Sequence, residues 1–222
     1  MQKRIWLGLV FLAAVFQGAF AQDTNFSSDK ELSYAIGVLL AKSIQDSGIT
    51  VEYKSFSEGL KNALDGKAKI TEETAFELVQ TAMESVMSKQ KEENLKKSSQ
   101  FLTENGKKKG ILTTRSGLQY EVIDKGAGAH PKKDSIVVVH YVGSLIDGTV
   151  FDSSREREEP ATIPLEQVIP GWAEGMQLMR VGGRAKFFIP PQLAYGEATS
   201  VEEIPPNSVL VFDVELLEIE GE

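Results

Sequence analysis

Gln167–Met179 reads QVIPGWAEGMQLM. A proline and a glycine break the chain, a tryptophan follows at once, and an apolar helical pattern then begins. The indole of Trp172 either fills a gap in a core or floors a pocket. The flanks narrow the choice, because the window around Ala173 to Met179 is the one helical interruption in a region of period two.

That period begins after Gly110. GLQYEVI (117–123) alternates, as do parts of SIVVVHYVGSL (135–145), RAKFFI (184–189) and VLVFDVELLEI (209–219). Asp147-Gly148 between two such runs is a strong hairpin signal. The pattern predicts an antiparallel sheet with one short helix against it, an α+β domain over 113–222. Its long connections, REREEP (155–160) and GEATSVEEIPPNS (196–208), are the places where a scaffold of this kind carries function.

Upstream, the spacing is helical from Asp29 to about Asn105. Leu32, Ala35, Ile36, Leu39 and Leu40 share a face, with Asp29 read as the cap and Gly48 as the stop. A second helix carries Phe56, Leu60, Ala63 and Leu64 on one face and ends at Gly66. Thr71 caps a third, with Glu72 and Glu73 placed for the helix dipole. The third helix changes character midway. Phe76, Val79, Met83 and Val86 form a stripe, after which SKQKEENLKKSSQ is polar all round. Glu92 before Lys96 and Glu93 before Lys97 are spaced to pair, so this half reads as a solvated bridge between domains. Unbroken to Asn105, the helix would reach about 50 Å. These helices are too few to enclose a core of their own. A second copy of the chain is the economical cover, which makes the segment 22–70 a helical dimerisation domain and 71–112 a connecting helix; packing on the C-terminal domain is the alternative.

The first residues differ in kind. Lys3 and Arg4 precede an apolar or small run, Ile5 to Phe16, and Ala19-x-Ala21 follows. This is the pattern of a cleaved export signal over 1–21; a spanning helix would need about 20 apolar residues. Cleavage leaves no membrane anchor and takes the net charge from −8 to −10. Such an acidic chain repels nucleic acid and anionic lipid. The sequence has no cysteine, which excludes disulfides and cysteine–zinc sites. Location follows as the periplasm, or full secretion, since the signal itself only crosses the inner membrane.

Several constellations carry no chemistry. Gly126, Gly128 and His130 suggest a phosphate loop, but no helix follows. His140, Asp152 and Ser153 are triad residue types, yet adjacent strand residues point to opposite faces. Two histidines and no cysteines give no metal cluster. The glutamates of REREEP read as a solvated turn. What remains is aromatic and apolar: Tyr141, Phe151, Val168, Ile169, Trp172, Tyr195, Ile204 and Phe212. Such residues form plain cores as readily as clefts. The polar tips of Tyr195 and Asp152 beside aromatic neighbours fit a small apolar cleft with a few oriented hydrogen-bonding groups.

VVHYVGSLIDGTVFDSS (138–154), QVIPGWAEGMQLMRVGGRAKFFIPPQLAYG (167–196) and IPPNSVLVFDVELLEI (204–219) together resemble the FKBP-type peptidyl-prolyl isomerase domain. SYAIGVLLAKSI and FSEGLKNALDGK, ahead of a long polar helix, are similar to the N-terminal domain of its macrophage-infectivity-potentiator-like and FkpA-like bacterial members. The resemblance implies cis/trans isomerisation of Xaa–Pro bonds in unfolded or folding proteins, with no cofactor and no metal. It makes Trp172 the floor of a proline pocket, Tyr141, Phe151, Val168, Ile169 and Phe212 its walls, Tyr195 and Asp152 its polar rim, and Ile204 the apolar residue of the flap. Where the family often has two aromatics, this chain has Ala161 and Ile163. One wall should be thinner, which counts against bulky macrolide inhibitors more than against turnover. A chaperone-like dimer that holds unfolded chains without catalysis is the competing reading.

Overall fold

The computed structural model describes residues 28–199, 201 and 203–221. The stretch read as an export signal, 1–21, lies outside the described residues. The chain divides into two compact units, residues 1–50 and 51–222.

The first unit contributes one described helix, α1 (Asp29–Asp46). Its cap is Ser28, one residue before the position read from sequence: the Ser28 side chain accepts from the Glu31 N–H, at 3.4 Å. Asp29 instead joins Glu31 in the first turn, where negative charge meets the positive end of the helix dipole. No residue of α1 is buried, and Leu32, Ile36 and Leu39 are exposed along one face.

The second unit opens with α2 (Tyr53–Leu64) and α3 (Glu72–Asn105). Thr71 caps α3 as its sequence position implies, accepting from the Thr74 N–H at 3.1 Å. At 34 residues the helix is unbroken and about 51 Å long. Its first half leaves Phe76, Val79 and Met83 exposed. Its second half departs from the solvated bridge expected of it. Ser98 and Asn105 are buried, and Asn94, Ser98, Phe101 and Asn105 all contact the sheet domain that follows. The expected pairs Glu92–Lys96 and Glu93–Lys97 are not among the ion pairs of the described residues. A polar helix face can dock when each of its groups finds a partner, and here short polar side chains replace the apolar stripe that periodicity detects.

The rest is one antiparallel sheet: β1 (Ile111–Thr113), β2 (Gln119–Asp124), β3 (Ile136–Leu145), β4 (Val150–Ser153), β5 (Ala161–Pro164), β6 (Arg184–Ile189) and β7 (Leu210–Ile219). The order is β1-β2-β6-β7-β3-β4, with β5 paired to the other end of β3. β3 and β7, each ten residues long, form the centre, and both alternate buried with part-exposed residues. That alternation places Val137, Val139 and Tyr141 on the same face as Phe212, Val214 and Leu216. At the β3–β4 hairpin Gly148 takes a positive φ of 92° while Asp147 does not, so the loop is a three-residue turn closing through Gly148.

α4 (Pro170–Gln177) lies against the sheet's buried face. Pro170 suits the first helical position, which needs no N–H. The approach is close because Gly171 and Gly175 face the sheet. A Cβ at Gly171 would stand 2.4 Å from Ile189 Cγ2, and one at Gly175 would stand 2.9 Å from the Phe187 ring. Trp172 and Met176, each next in sequence to one of these glycines, are thereby pressed into the core.

Candidate active site

Trp172 is both core and floor. Only 3% of it is exposed, yet it lies at the base of a cavity of about 600 Å³ lined also by Tyr141, Phe151, Val168, Ile169 and Phe212. The rings brace one another edge-on. Tyr141 stands 6.3 Å from Trp172 at 81°, Trp172 stands 6.4 Å from Phe212 at 79°, and Phe151 stands 5.6 Å from Phe212 at 80°. Such edge contacts fix ring orientation beyond what area burial supplies. Gly143 makes room for two of them, since a Cβ there would meet the Phe151 ring at 2.7 Å and the Phe212 ring at 2.9 Å.

The remaining sequence-predicted residues also converge. Asp152, Ile163, Tyr195 and Ile204 border the same cavity. Of the two positions where aromatics are replaced, only Ile163 reaches it; Ala161 packs beside the core instead. Gln167 and Val201 line the cavity without having been singled out from sequence. Gln167 opens the quoted motif without a role of its own there, and Val201 stands inside a loop whose folding no local pattern specifies.

The polar rim has an internal order. Tyr141 donates its hydroxyl hydrogen bond to Asp152 Oδ2. Arg157 donates to Asp152 Oδ1 at 2.6 Å and to the Tyr141 hydroxyl at 3.1 Å, and its guanidinium lies 5.8 Å from the Tyr141 ring centre. Burial alone would push the Asp152 carboxyl up, but hydrogen bonds from Tyr141 and Arg157 outweigh it and hold the group below its ordinary value. Burial, then the bond to Asp152, pushes the Tyr141 phenol up. Asp152 is thus an anchored anion, and Tyr141 a neutral phenol. Arg157 is the residue that sequence reasoning missed, because it lies in a charge run read as solvated.

Two donors on cavity-lining residues have no protein partner among the described residues. The Tyr195 hydroxyl has none among the described residues, and Tyr195 is 40% exposed. The Ile169 N–H also has no acceptor among them, while the Ile169 carbonyl begins α4 by accepting from Trp172 and Ala173 at 3.0 and 3.1 Å. The rejected constellations stay apart from this chemistry. His140 Nδ1 contacts Ser154 Oγ at 3.2 Å, whereas Asp152 faces Tyr141 and Arg157. The N–H groups of Ala127 and Gly128 are both spent on the Val181 carbonyl, at 3.2 and 3.0 Å, so no phosphate cradle forms there.

An apolar hollow with an indole floor and a polar rim, carried on an antiparallel sheet packed against one short helix, is the arrangement of a peptidyl-prolyl rotamase. The comparisons agree. The family model for FKBP-type peptidyl-prolyl cis-trans isomerase matches residues 128–217, and that for the domain amino terminal to it matches residues 29–122. An FKBP-type isomerase, FkpA, of Aeromonas hydrophila is 47% identical over 208 residues, 87% of this chain and 77% of its own length. The outer membrane protein MIP of Legionella longbeachae is 38% identical over 98% of this chain and 97% of its own. The crystal structure of FkpA from Escherichia coli superposes with a TM-score of 0.76 at 38% identity, covering 90% of this chain and 98% of that one. This chain belongs to the FKBP-type peptidyl-prolyl cis-trans isomerase family, and its activity is the rotation of peptidyl-prolyl bonds.

Proposed function

We propose that Trp172, Tyr141, Phe151 and Phe212 receive the proline ring, with Val168, Ile169, Ile163 and Ile204 around it, in clients that fold after export. The barrier to rotation is about 18–20 kcal/mol because twisting destroys amide resonance, and unaided exchange takes tens to hundreds of seconds. A planar amide is more polar than a twisted one. An apolar hollow therefore raises the ground state relative to the transition state, which is the differential that accelerates a reaction. The Ile169 N–H and the Tyr195 hydroxyl hold flanking substrate carbonyls, and Asp152, anchored by Arg157, keeps the Tyr141 face of the hollow in place. No covalent bond forms or breaks.

The observation that carries this reading is the cavity over Trp172 with two unpartnered donors at its edge. Exchange in a proline-containing tetrapeptide tests it. Tyr195→Phe deletes one exposed hydroxyl and should lower kcat/KM about twofold to tenfold, the net worth of one hydrogen bond, with the melting temperature unchanged. Equal rates for both proteins would remove Tyr195 from the mechanism.

The helices before residue 71 form, in this reading, a dimerisation domain, α3 connects it to the isomerase domain, and the chain works in the periplasm. The exposed faces of α1 and of the first half of α3 support the dimer. The same uncovered apolar surface favours a second role, holding unfolded chains. Macrolides are weak ligands here, because Ile163 alone stands where two aromatics would widen the wall.

A further inference from the structure

The loop between Tyr195 and Asn207 brings Tyr195, Val201 and Ile204 to the cavity. Its base is closed by the Asn207 N–H donating to the Gly196 carbonyl at 2.8 Å. Asn207 is 5% exposed and holds φ at 58°, a left-handed conformation that asparagine tolerates better than most residues. Three hydrogen bonds then join this base to α3, through residues that do not line the cavity. Asn94 Nδ2 donates to the Pro206 carbonyl at 3.0 Å, Ser98 Oγ to the Asn207 carbonyl at 2.6 Å, and Asn207 Nδ2 to the Lys91 carbonyl at 3.1 Å. Ser98 is itself 3% exposed. The second half of α3 thus places small amide and hydroxyl groups where they meet the backbone of one loop.

We infer that Ser98, Asn94 and Asn207 are positioning residues for isomerisation: the second half of α3 clamps the base of the loop and so fixes Tyr195 and Ile204 against the substrate. The inference rests on the pocket assignment above. The clamp acts on residues that bind substrate in ground and transition state alike, so its loss belongs to KM rather than kcat. The other buried contact of the helix makes a control. Asn105 Nδ2 donates to Gln119 Oε1 at 3.0 Å, on β2 rather than on the loop, so it holds the helix without touching the loop.

The test uses the full chain at a temperature where circular dichroism shows every variant folded. Ser98→Ala and Asn207→Gly, the latter keeping the left-handed backbone accessible, should raise KM for a proline tetrapeptide about threefold to tenfold, one hydrogen bond's worth, with kcat within about twofold. Asn105→Ala should lower the melting temperature and leave KM alone. Hydrogen exchange at the Asn207 amide, read without any substrate, should quicken in Ser98→Ala and not in Asn105→Ala. Should Asn207→Gly not fold, Ser98→Ala decides alone. An unchanged KM with unchanged amide exchange overturns the clamp, as does an equal rise of KM in Asn105→Ala. If the wild type turns over no peptide, the pocket assignment fails, and the amide exchange still decides the clamp.

Discussion

The Arg157 guanidinium touches both polar groups of the rim, Asp152 and Tyr141, and this sets how the site answers to acid. The Asp152 carboxyl lies below its ordinary 3.8, so the folded state binds its proton more weakly than the unfolded chain does. The stabilisation is therefore complete above that ordinary value and fades as pH falls through the lowered one. Arg157→Gln removes the main cationic partner while the upward push of burial remains. The acid limb of the melting-temperature profile should move to higher pH in Arg157→Gln, with the two proteins parallel between pH 6 and 8; coincident acid limbs would show that Arg157 does not hold the carboxylate. At this scale the sequence was legible for aromatics and illegible for their supports. Trp172, Tyr141 and Phe212 stand in runs whose order is distinctive. Arg157 stands in REREEP, where five of six residues are charged, and nothing local tells which side chain folds back.

Elements were legible where burial follows a period. β3 and β7 alternate in sequence and in burial alike, and the Gly and Thr positions bounding α2 and α3 stop and start them as read. The docking of the second half of α3 was hidden because, Phe101 apart, its contacts come from Asn and Ser, which a hydrophobic pattern cannot see. α4 carries the other hidden requirement, its closeness to the sheet. In Gly171→Ala the new methyl would meet Ile189, fully buried, at 2.4 Å, an overpacking that costs about 1–3 kcal/mol. Urea unfolding should show that loss with kcat/KM falling as Trp172 is displaced. A variant as stable as the parent would mean that α4 shifts freely on the sheet, and the floor of the cavity would then be less fixed than described.

For the whole molecule, the docked half of α3 moves the practical boundary of the isomerase domain upstream of residue 113. A fragment starting near Lys91 keeps Asn94, Ser98, Phe101 and Asn105 on the domain and should melt higher than one starting at Thr113; equal melting temperatures would return the helix to the status of a linker. Light scattering should give twice the chain mass for the full protein and one chain mass for the Lys91 fragment, and a dimeric fragment would remove dimerisation from the N-terminal helices. The pairing of Asp152 with Arg157 has one more effect, on client choice. The pocket's own carboxylate is already neutralised, so the hollow exerts little pull on charged side chains flanking the proline. What pull exists comes from the enzyme's overall anionic surface, at −8 for the chain, and it acts over a range that salt shortens to about 10 Å at 0.1 M. Lysine-flanked prolines should be turned over faster than glutamate-flanked ones in dilute buffer, and the two should converge as ionic strength rises.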